Sequence, residues 1–285
     1  MQATEGPSVV LVESRPDPQH ERALWFHSPE QLISCRSAAD VREQLQLAES
    51  ARARGRFLAG FLAYEAGYGL QPGLLSLDDR PRVAHALWLG VFAGVEELHG
   101  AAVDELLCAR AAGSARLASP PAFDLDRSGY AADFARIQDA LHAGDSYQIC
   151  HSLRARFRVD GSPWALFQTL RQRQRTAYSA VIDTGEYAVL SLSPELFFRK
   201  RGAHLELKPM KGTAAAGRDE AEDARIAQAM RQDPKTRAEN VMIVDLLRND
   251  VGRLAKPGSV SVPELFGVER VGNVLQMTSS IVAEV

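Results

Sequence analysis

The chain has 285 residues, of which 46% are hydrophobic and 24% are charged, and its formal net charge is −3. This length can bury a substantial core, and this composition is typical of a folded globular protein. The charge gives no electrostatic footprint for nucleic acid, and no apolar run is long enough to predict a membrane-spanning helix. The N-terminus lacks the features of a signal peptide and the three cysteines are far apart in sequence, so we expect a cytoplasmic protein with reduced thiols.

The first 120 residues carry short, weakly patterned segments. A helix is predicted over residues 38–54, ending at Gly55, and strands are predicted over 9–12, 57–64 and 84–95. Residues 109–121 are rich in alanine and close with Ser119-Pro120-Pro121, which predicts a linker. We therefore divide the chain into an N-terminal lobe, residues 1–120, and a second region, residues 121–285.

The second region has stronger signals. Ser128 is a candidate N-cap for a helix that stops at Gly144, and Asp233-Pro234 supplies an N-cap and first-turn proline for a later helix. The other predicted elements are strands over 146–159, 177–183 and 187–192, a hairpin over 196–208, and helices over 163–173 and 219–232. Strands and helices come in mixed groups without regular alternation, which favours an α+β fold.

Glu239 lies in the helix that starts at Pro234, on a face shared with apolar residues. An unpaired carboxylate is costly to bury, so we expect a cation beside it. A single carboxylate facing a ligand is typical of a Mg²⁺ site, because this ion keeps waters and binds substrate oxygens. The alternative is a structural carboxylate that favours the helix dipole or pairs with Arg237 or Arg248.

Lys211 and Glu195 are the candidate catalytic residues. Lys211 lies in a Pro-Met-Lys-Gly-Thr segment, predicted to be a turn where a strand ends, so that a ligand can approach closely. To act as a nucleophile this lysine has to be neutral, which requires desolvation or a nearby cation; the alternative is a solvated lysine. Glu195 follows a Ser-Pro turn and precedes two phenylalanines, where a carboxyl held among apolar groups can act as a general acid. The alternative is a turn residue paired with Arg199.

Four segments together resemble the chorismate-utilising enzymes. They are GDSYQ at 144–148, SLSPELFF at 191–198, KPMKGT at 208–213 and the block DPKTRAENVMIVDLLRNDVGRLAKPGSV at 233–260. The resemblance is close from about residue 128 onwards and loose before it, and it implies a chorismate-binding fold with mixed, largely antiparallel sheets flanked by helices. Within this family, lysine at the position of Lys211 is typical of component I of aminodeoxychorismate synthases, whereas anthranilate synthases typically have alanine.

The resemblance also implies a role for each site residue. Lys211 attacks C2 of chorismate while Glu195 protonates the departing C4 hydroxyl, and ammonia then adds at C4 to give 4-amino-4-deoxychorismate. Gly212 and Thr213 contact the substrate, and Glu239 binds the Mg²⁺ ion. The amidotransferase nucleophile of a G-x-C-x-G turn is absent from the sequence, so ammonia is expected from a separate glutamine amidotransferase subunit.

VLVES at residues 10–14 is similar to a region that binds tryptophan in some relatives, which makes Glu13 and Ser14 candidates for that role. The sequence departs from the family pattern at Cys150, where asparagine is usual, and at Ala215 and Ala216, where proline and arginine are common. Relatives also continue beyond the position of Val285, so we expect the chain alone to be an incomplete catalytic region, inactive and marginally stable or associated.

Two alternatives follow from the sequence. One is an enzyme of the anthranilate synthase type, which Lys211 disfavours. The other is a non-catalytic remnant that acts only as a binding partner.

Overall fold

The computed structural model describes residues 6–14, 18–71, 73–77, 84–111 and 113–285. The chain forms two compact units. The first runs to Arg110 and also includes Arg171–Pro194, and the second comprises Ala111–Leu170 and Glu195–Val285. This division differs from the predicted single boundary near residue 120, because strands within residues 178–193 pair with the first strand of the chain. None of the helices in the described ranges is long and apolar enough to cross a membrane, and the cytoplasmic location stays a prediction.

The strands are mostly short, with two long ones at the C-terminal end. They are β1 (Ser8–Glu13), β2 (Arg22–His27), β3 (Gln31–Cys35), β4 (Phe57–Leu62), β5 (Leu87–Phe92), β6 (Glu96–His99), β7 (Arg116–Leu117), β8 (Ala122–Phe123), β9 (Ala155–Arg156), β10 (Val159–Asp160), β11 (Tyr178–Asp183), β12 (Ala188–Ser193), β13 (Leu196–Arg201), β14 (His204–Lys208), β15 (Met210–Ala215), β16 (Ser261–Val271) and β17 (Val274–Glu284).

The α-helices alternate irregularly with these strands, and short 3-10 helices lie at Pro18–His20, Ala38–Asp40 and Leu75–Leu77. The α-helices are α1 (Val41–Ala53), α2 (Ala66–Leu70), α3 (Ala101–Arg110), α4 (Arg127–Ala143), α5 (Pro163–Arg173), α6 (Glu220–Gln232) and α7 (Pro234–Gly252). The sheets pair antiparallel throughout the described registers. The predicted α+β class is therefore confirmed.

Local signals located most helix ends correctly. Asp233 caps α7 through a bond from the N–H of Thr236, with Pro234 in the first turn. Gly144 ends α4 in the left-handed conformation that glycine adopts without strain. The cap of α4 is Asp126, which accepts the N–H of Gly129, so the choice of Ser128 was wrong. The expected strand over residues 146–159 was also wrong, since only β9 and the start of β10 form there.

The first unit contains a five-stranded sheet in the order β12-β11-β1-β2-β6 and a three-stranded sheet in the order β3-β5-β4. One apolar cluster joins strands of both sheets and includes Val9, Phe26, Trp88, Phe92 and Ile182. A second cluster packs α1 and α2 against the three-stranded sheet. Because β1 is the middle strand of the larger sheet, its backbone is hydrogen-bonded along both edges.

A buried ion-pair network lies in the first unit. Arg171 and Glu21 are 2% and 1% exposed, and they form a direct ion pair. Arg171 Nη1 also donates to Asp104 Oδ1 at 2.7 Å, while the Ser14 hydroxyl donates to Glu21 Oε1 at 2.6 Å. The two buried charges, Arg171 and Glu21, are thus each met by two hydrogen-bonding groups.

The second unit is organised around β17. This strand pairs with β14 and then β15 along one edge and with β16 along the other. One face of β17 packs on α7 through Val244, Val251, Ile281 and Ala283 together with β14. The same face continues towards α6 in a second cluster that contains Met230, Leu275 and Met277. Helices on one face of an antiparallel sheet thereby fix the position of β15 relative to α7.

Candidate active site

Lys211 lies in strand β15, so the expected turn is corrected to a strand with an irregularity. Met210 is opposite Thr278, and Thr213 is opposite Gln276. The stretch from Met210 to Thr213 on β15 is therefore one residue longer than the stretch from Gln276 to Thr278 on β17. This is a β-bulge, a device that redirects side chains and is common beside active sites. Lys211 is half-buried, and its ammonium group donates to the carbonyl oxygen of Met210 at 3.0 Å.

Gly212 allows the bulge to lie against the first turn of α7. Its φ is +97°, and a Cβ at this position would come within 2.3 Å of Cγ2 of Thr236. Both the backbone conformation and the close approach exclude larger residues. The Lys-Gly pair therefore brings the backbone beside Lys211 into contact with the helix that carries Glu239.

Thr213 faces away from the helices. Its hydroxyl donates to Oε1 of Gln276 at 2.9 Å across the β15–β17 pair. Directly opposite residues of an antiparallel pair lie on the same face of the sheet, so Thr213 and Gln276 present a polar pair there. Sequence reasoning missed Gln276, because no local pattern signals a partner 63 positions away.

Glu195 lies just before β13 and is exposed. Its Oε1 atom accepts the backbone N–H of Met210 at 3.3 Å. The carboxyl is thus connected to the residue that precedes Lys211. The expectation that apolar groups enclose this carboxyl is not met, because the neighbouring Phe197 and Phe198 are 77% and 54% exposed.

Glu239 is half-buried on α7. The buried face of this helix is formed by Asn240, Val244 and Val251. Glu239 lies at the edge of that face. Its Oε1 atom lies 3.8 Å from Nζ of Lys235, one turn earlier. That exposed pair stabilises little, and it replaces the expected partners Arg237 and Arg248.

The structure brings Lys211, Gly212, Thr213 and Glu195 together around the start of β15. Among the described residues, no hydrogen bond or ion pair joins Glu239 to Lys211. No group of three or more metal-binding side chains is found in the described ranges either. Glu239 therefore provides a single carboxylate on the neighbouring helix.

The residues suggested for tryptophan lie in the first unit. Glu13 lines a cavity of about 280 Å³, together with Leu11, Val12, Arg22, Leu24, Tyr178, Ser179, Ala180, Ser191 and Ser193. Its walls combine apolar side chains with one carboxylate, one guanidinium group and several hydroxyls. Ser14 is not among the lining residues, because its hydroxyl is bonded to Glu21.

Known proteins share much of this sequence. Residues 8–285 match the family model described as chorismate binding enzyme. Aminodeoxychorismate synthase component 1 of Klebsiella aerogenes is 44% identical over 160 residues, which cover 56% of this chain and 36% of that protein. Anthranilate synthase component 1 of Thermus thermophilus is 37% identical over 172 residues, covering 60% and 36%. The matched segment thus spans about a third of these curated relatives.

The fold is shared with solved structures. Anthranilate synthase component I from Streptococcus pneumoniae has a TM-score of 0.76 at 19% identity, over 96% of this chain and 70% of that one. The menaquinone-specific isochorismate synthase of Escherichia coli has a TM-score of 0.63 at 14% identity, over 100% and 66%. Identities at this level support the fold alone.

Proposed function

The chain belongs to the chorismate binding enzyme family, and we propose that it serves as component I of an aminodeoxychorismate synthase. In this role it converts chorismate and ammonia into 4-amino-4-deoxychorismate, the precursor of para-aminobenzoate in folate synthesis. The observation that carries the proposal is Lys211, a half-buried lysine in a β-bulge connected to Glu195 through Met210. The names of several relatives at 40–44% identity support it.

The proposed reaction has two substitutions. The neutral amine of Lys211 forms a bond to C2 of chorismate, the ring double bonds shift, and the C4 hydroxyl leaves as water with a proton from Glu195. Ammonia then forms a bond to C4, the lysine amine leaves C2, and a proton of the new ammonium group returns to the Glu195 carboxylate. The hydrogen bond from the backbone beside Lys211 to Glu195 supports this role for the carboxyl, and such proton transfers contribute about 10²–10⁴-fold.

Gly212 and Thr213 suit a substrate-binding role. Gly212 brings the backbone next to Lys211 against Thr236 of α7, the helix that carries Glu239. Thr213 is exposed, and its hydroxyl makes a hydrogen bond to the side chain of Gln276. Both groups follow directly after the nucleophile, so they can orient a ring held at Lys211.

The carboxylate of Glu239 is a suitable ligand for magnesium. Glu239 is one half-buried carboxylate with a weak lysine partner, and Mg²⁺ commonly takes one or two protein carboxylates, waters and substrate oxygens. In the proposal Glu239 would hold the ion, whose charge would attract a carboxylate of chorismate. The nucleophile and the proton donor of the proposed reaction remain Lys211 and Glu195.

Replacing Glu239 with glutamine is expected to weaken Mg²⁺-dependent chorismate binding by about tenfold or more, because a neutral amide is a poorer Mg²⁺ ligand than a carboxylate. Calorimetric titration of chorismate with and without the metal measures this. Asp245→Asn is the matched control, since Asp245 is an exposed carboxylate on the same helix paired with Arg248. Equal binding by Glu239→Gln and the unmodified protein would leave Glu239 as a structural residue.

Ammonia is proposed to come from a glutamine amidotransferase subunit. The three cysteines of the chain are Cys35, Cys108 and Cys150, and none lies in the G-x-C-x-G turn expected of an amidotransferase nucleophile. Ammonium ions at high pH can replace that subunit in a test of the chemistry.

Product analysis tests the proposed function. The chain is incubated with chorismate, Mg²⁺ and ammonium, both by itself and joined to the residues that follow the matched segment in the Klebsiella aerogenes relative. The expected product is 4-amino-4-deoxychorismate, detected as 4-aminobenzoate after the lyase is added. Anthranilate as the main product would favour the second candidate, an anthranilate synthase, which one relative and one solved structure represent.

The cavity beside Glu13 supports a second proposal, that the first unit binds tryptophan as a regulator. Glu13 suits the ligand's ammonium group and the apolar walls its ring, whereas the guanidinium group of Arg22 is paired with Glu97. We expect Glu13→Gln to weaken tryptophan binding at least about tenfold, the value of one charged hydrogen bond. Calorimetry measures this, with Glu30→Gln, an exposed carboxylate paired with Arg56, as control; unchanged affinity in Glu13→Gln would contradict the assignment.

A further inference from the structure

Asn240 and Ser279 form a hydrogen-bonded pair in the interior of the second unit. Both are fully buried at 0% exposure, and the Ser279 hydroxyl donates to Oδ1 of Asn240 at 2.6 Å. Asn240 directly follows Glu239 on α7, and Ser279 lies in β17. This polar pair interrupts a face that is otherwise apolar, where Val244, Val251 and Ile281 pack.

Ser279 also contacts the backbone that leads to Lys211. Its N–H donates to the carbonyl oxygen of Pro209 at 3.2 Å, and Pro209 joins β14 to β15. Its hydroxyl oxygen accepts the N–H of Phe266 at 3.2 Å. One buried serine therefore connects α7, the entrance to β15 and strand β16.

The pair is costly for stability. Among the described residues, Nδ2 of Asn240 has no hydrogen-bond partner although it is buried. A buried donor without a partner costs about 1–3 kcal/mol, whereas apolar groups of similar shape in place of both partners can be neutral or stabilising. A leucine in place of Asn240 would extend the surrounding apolar cluster, so packing alone does not explain the asparagine.

We propose that the Asn240–Ser279 pair is a positioning device for the reaction proposed above. Asn240 fixes the rotation of α7 about its axis and hence the direction of the adjacent Glu239. Ser279 fixes the backbone two residues before Lys211. The pair thus holds the carboxylate and the nucleophile in one mutual geometry, and a misplacement of about 1 Å can cost about 10²-fold in rate.

The test is the double variant Asn240→Leu/Ser279→Ala in the chain that turns over chorismate with ammonium. We expect its urea midpoint to equal or exceed that of the unmodified protein, while kcat falls about 10–100-fold and the KM for chorismate changes much less. Val244→Ala is the control, because it removes a buried group from the same face of α7 and leaves both residues of the pair unchanged. It should lower the urea midpoint and leave kcat nearly unchanged.

Two results would overturn the inference. One is a double variant that is less stable but has unchanged kcat, as a purely structural pair would give. The other is a Val244→Ala variant that loses as much kcat as the double variant.

Amide hydrogen exchange over residues 206–214 provides a readout that does not need turnover. Exchange there should be faster in the double variant than in Val244→Ala. If the chain joined to the relative's following residues leaves chorismate unchanged, the proposed function fails. This exchange measurement still decides the positioning inference, because equal exchange in all proteins contradicts it.

Discussion

In the extended chain used for product analysis, replacing Lys211 with alanine is expected to lower the ammonium-dependent conversion of chorismate by about 10³-fold or more, the scale on which covalent nucleophiles contribute. The variant keeps the β-bulge, because Gly212 and its contact with Thr236 are unchanged. Unfolding by urea should therefore differ little from that of the unmodified protein. The rate of chorismate consumption, followed by its absorbance, measures the effect.

Lys208→Ala is the matched control for this substitution. Lys208 is another half-buried lysine of the same sheet, but it is paired with Glu269. Similar losses of rate in Lys208→Ala and Lys211→Ala would mean that Lys211 acts through general charge or packing. A loss confined to Lys211→Ala assigns the chemistry to this residue.

Replacing Arg171 with methionine is expected to lower the free energy of unfolding by about 3–5 kcal/mol, because it leaves the buried carboxylate of Glu21 without its cation. Arg171 and Glu21 are 2% and 1% exposed, so water cannot replace the lost partner. Urea unfolding followed by circular dichroism measures the loss. The double variant Arg171→Met/Glu21→Gln should recover part of it, because no buried charge then remains unpaired.

Arg136→Met is the control for the buried pair. Arg136 also pairs with a nearby carboxylate, Asp133, but its side chain is 79% exposed. An exposed pair of this kind contributes about 0–1 kcal/mol. Losses of equal size in Arg136→Met and Arg171→Met would contradict the assignment of the Arg171 network as a stabilising core element.

The helix boundaries were predictable where one residue type fixes them. Asp233 and Pro234 begin α7, Asp219 caps α6, and Gly144 ends α4. Each signal depends on backbone hydrogen bonds within a few residues, so the sequence contains it locally. The hairpin of β13 and β14 was also predicted, because alternation in His204–Lys208 matches its alternating burial.

The surroundings of the site residues were less predictable, because they depend on distant pairing. Lys211 was expected in a turn, yet β17, more than 60 residues later, extends β15 through it. Glu239 was expected to be enclosed, yet the register of α7 on β17 buries Asn240 instead. Residues 171–194 join the first unit because β11 pairs with β1. No short sequence window contains these partners.

The most direct test of the central claim is the mass of the extended chain after incubation with chorismate and Mg²⁺ in the absence of ammonia. The first substitution can then proceed while the second cannot. We predict a covalent adduct with the mass of chorismate less one water, located by peptide mapping on Lys211 and released as 4-amino-4-deoxychorismate when ammonium is added. Formation of that product by a protein that carries no adduct, or by Lys211→Arg, would contradict the account.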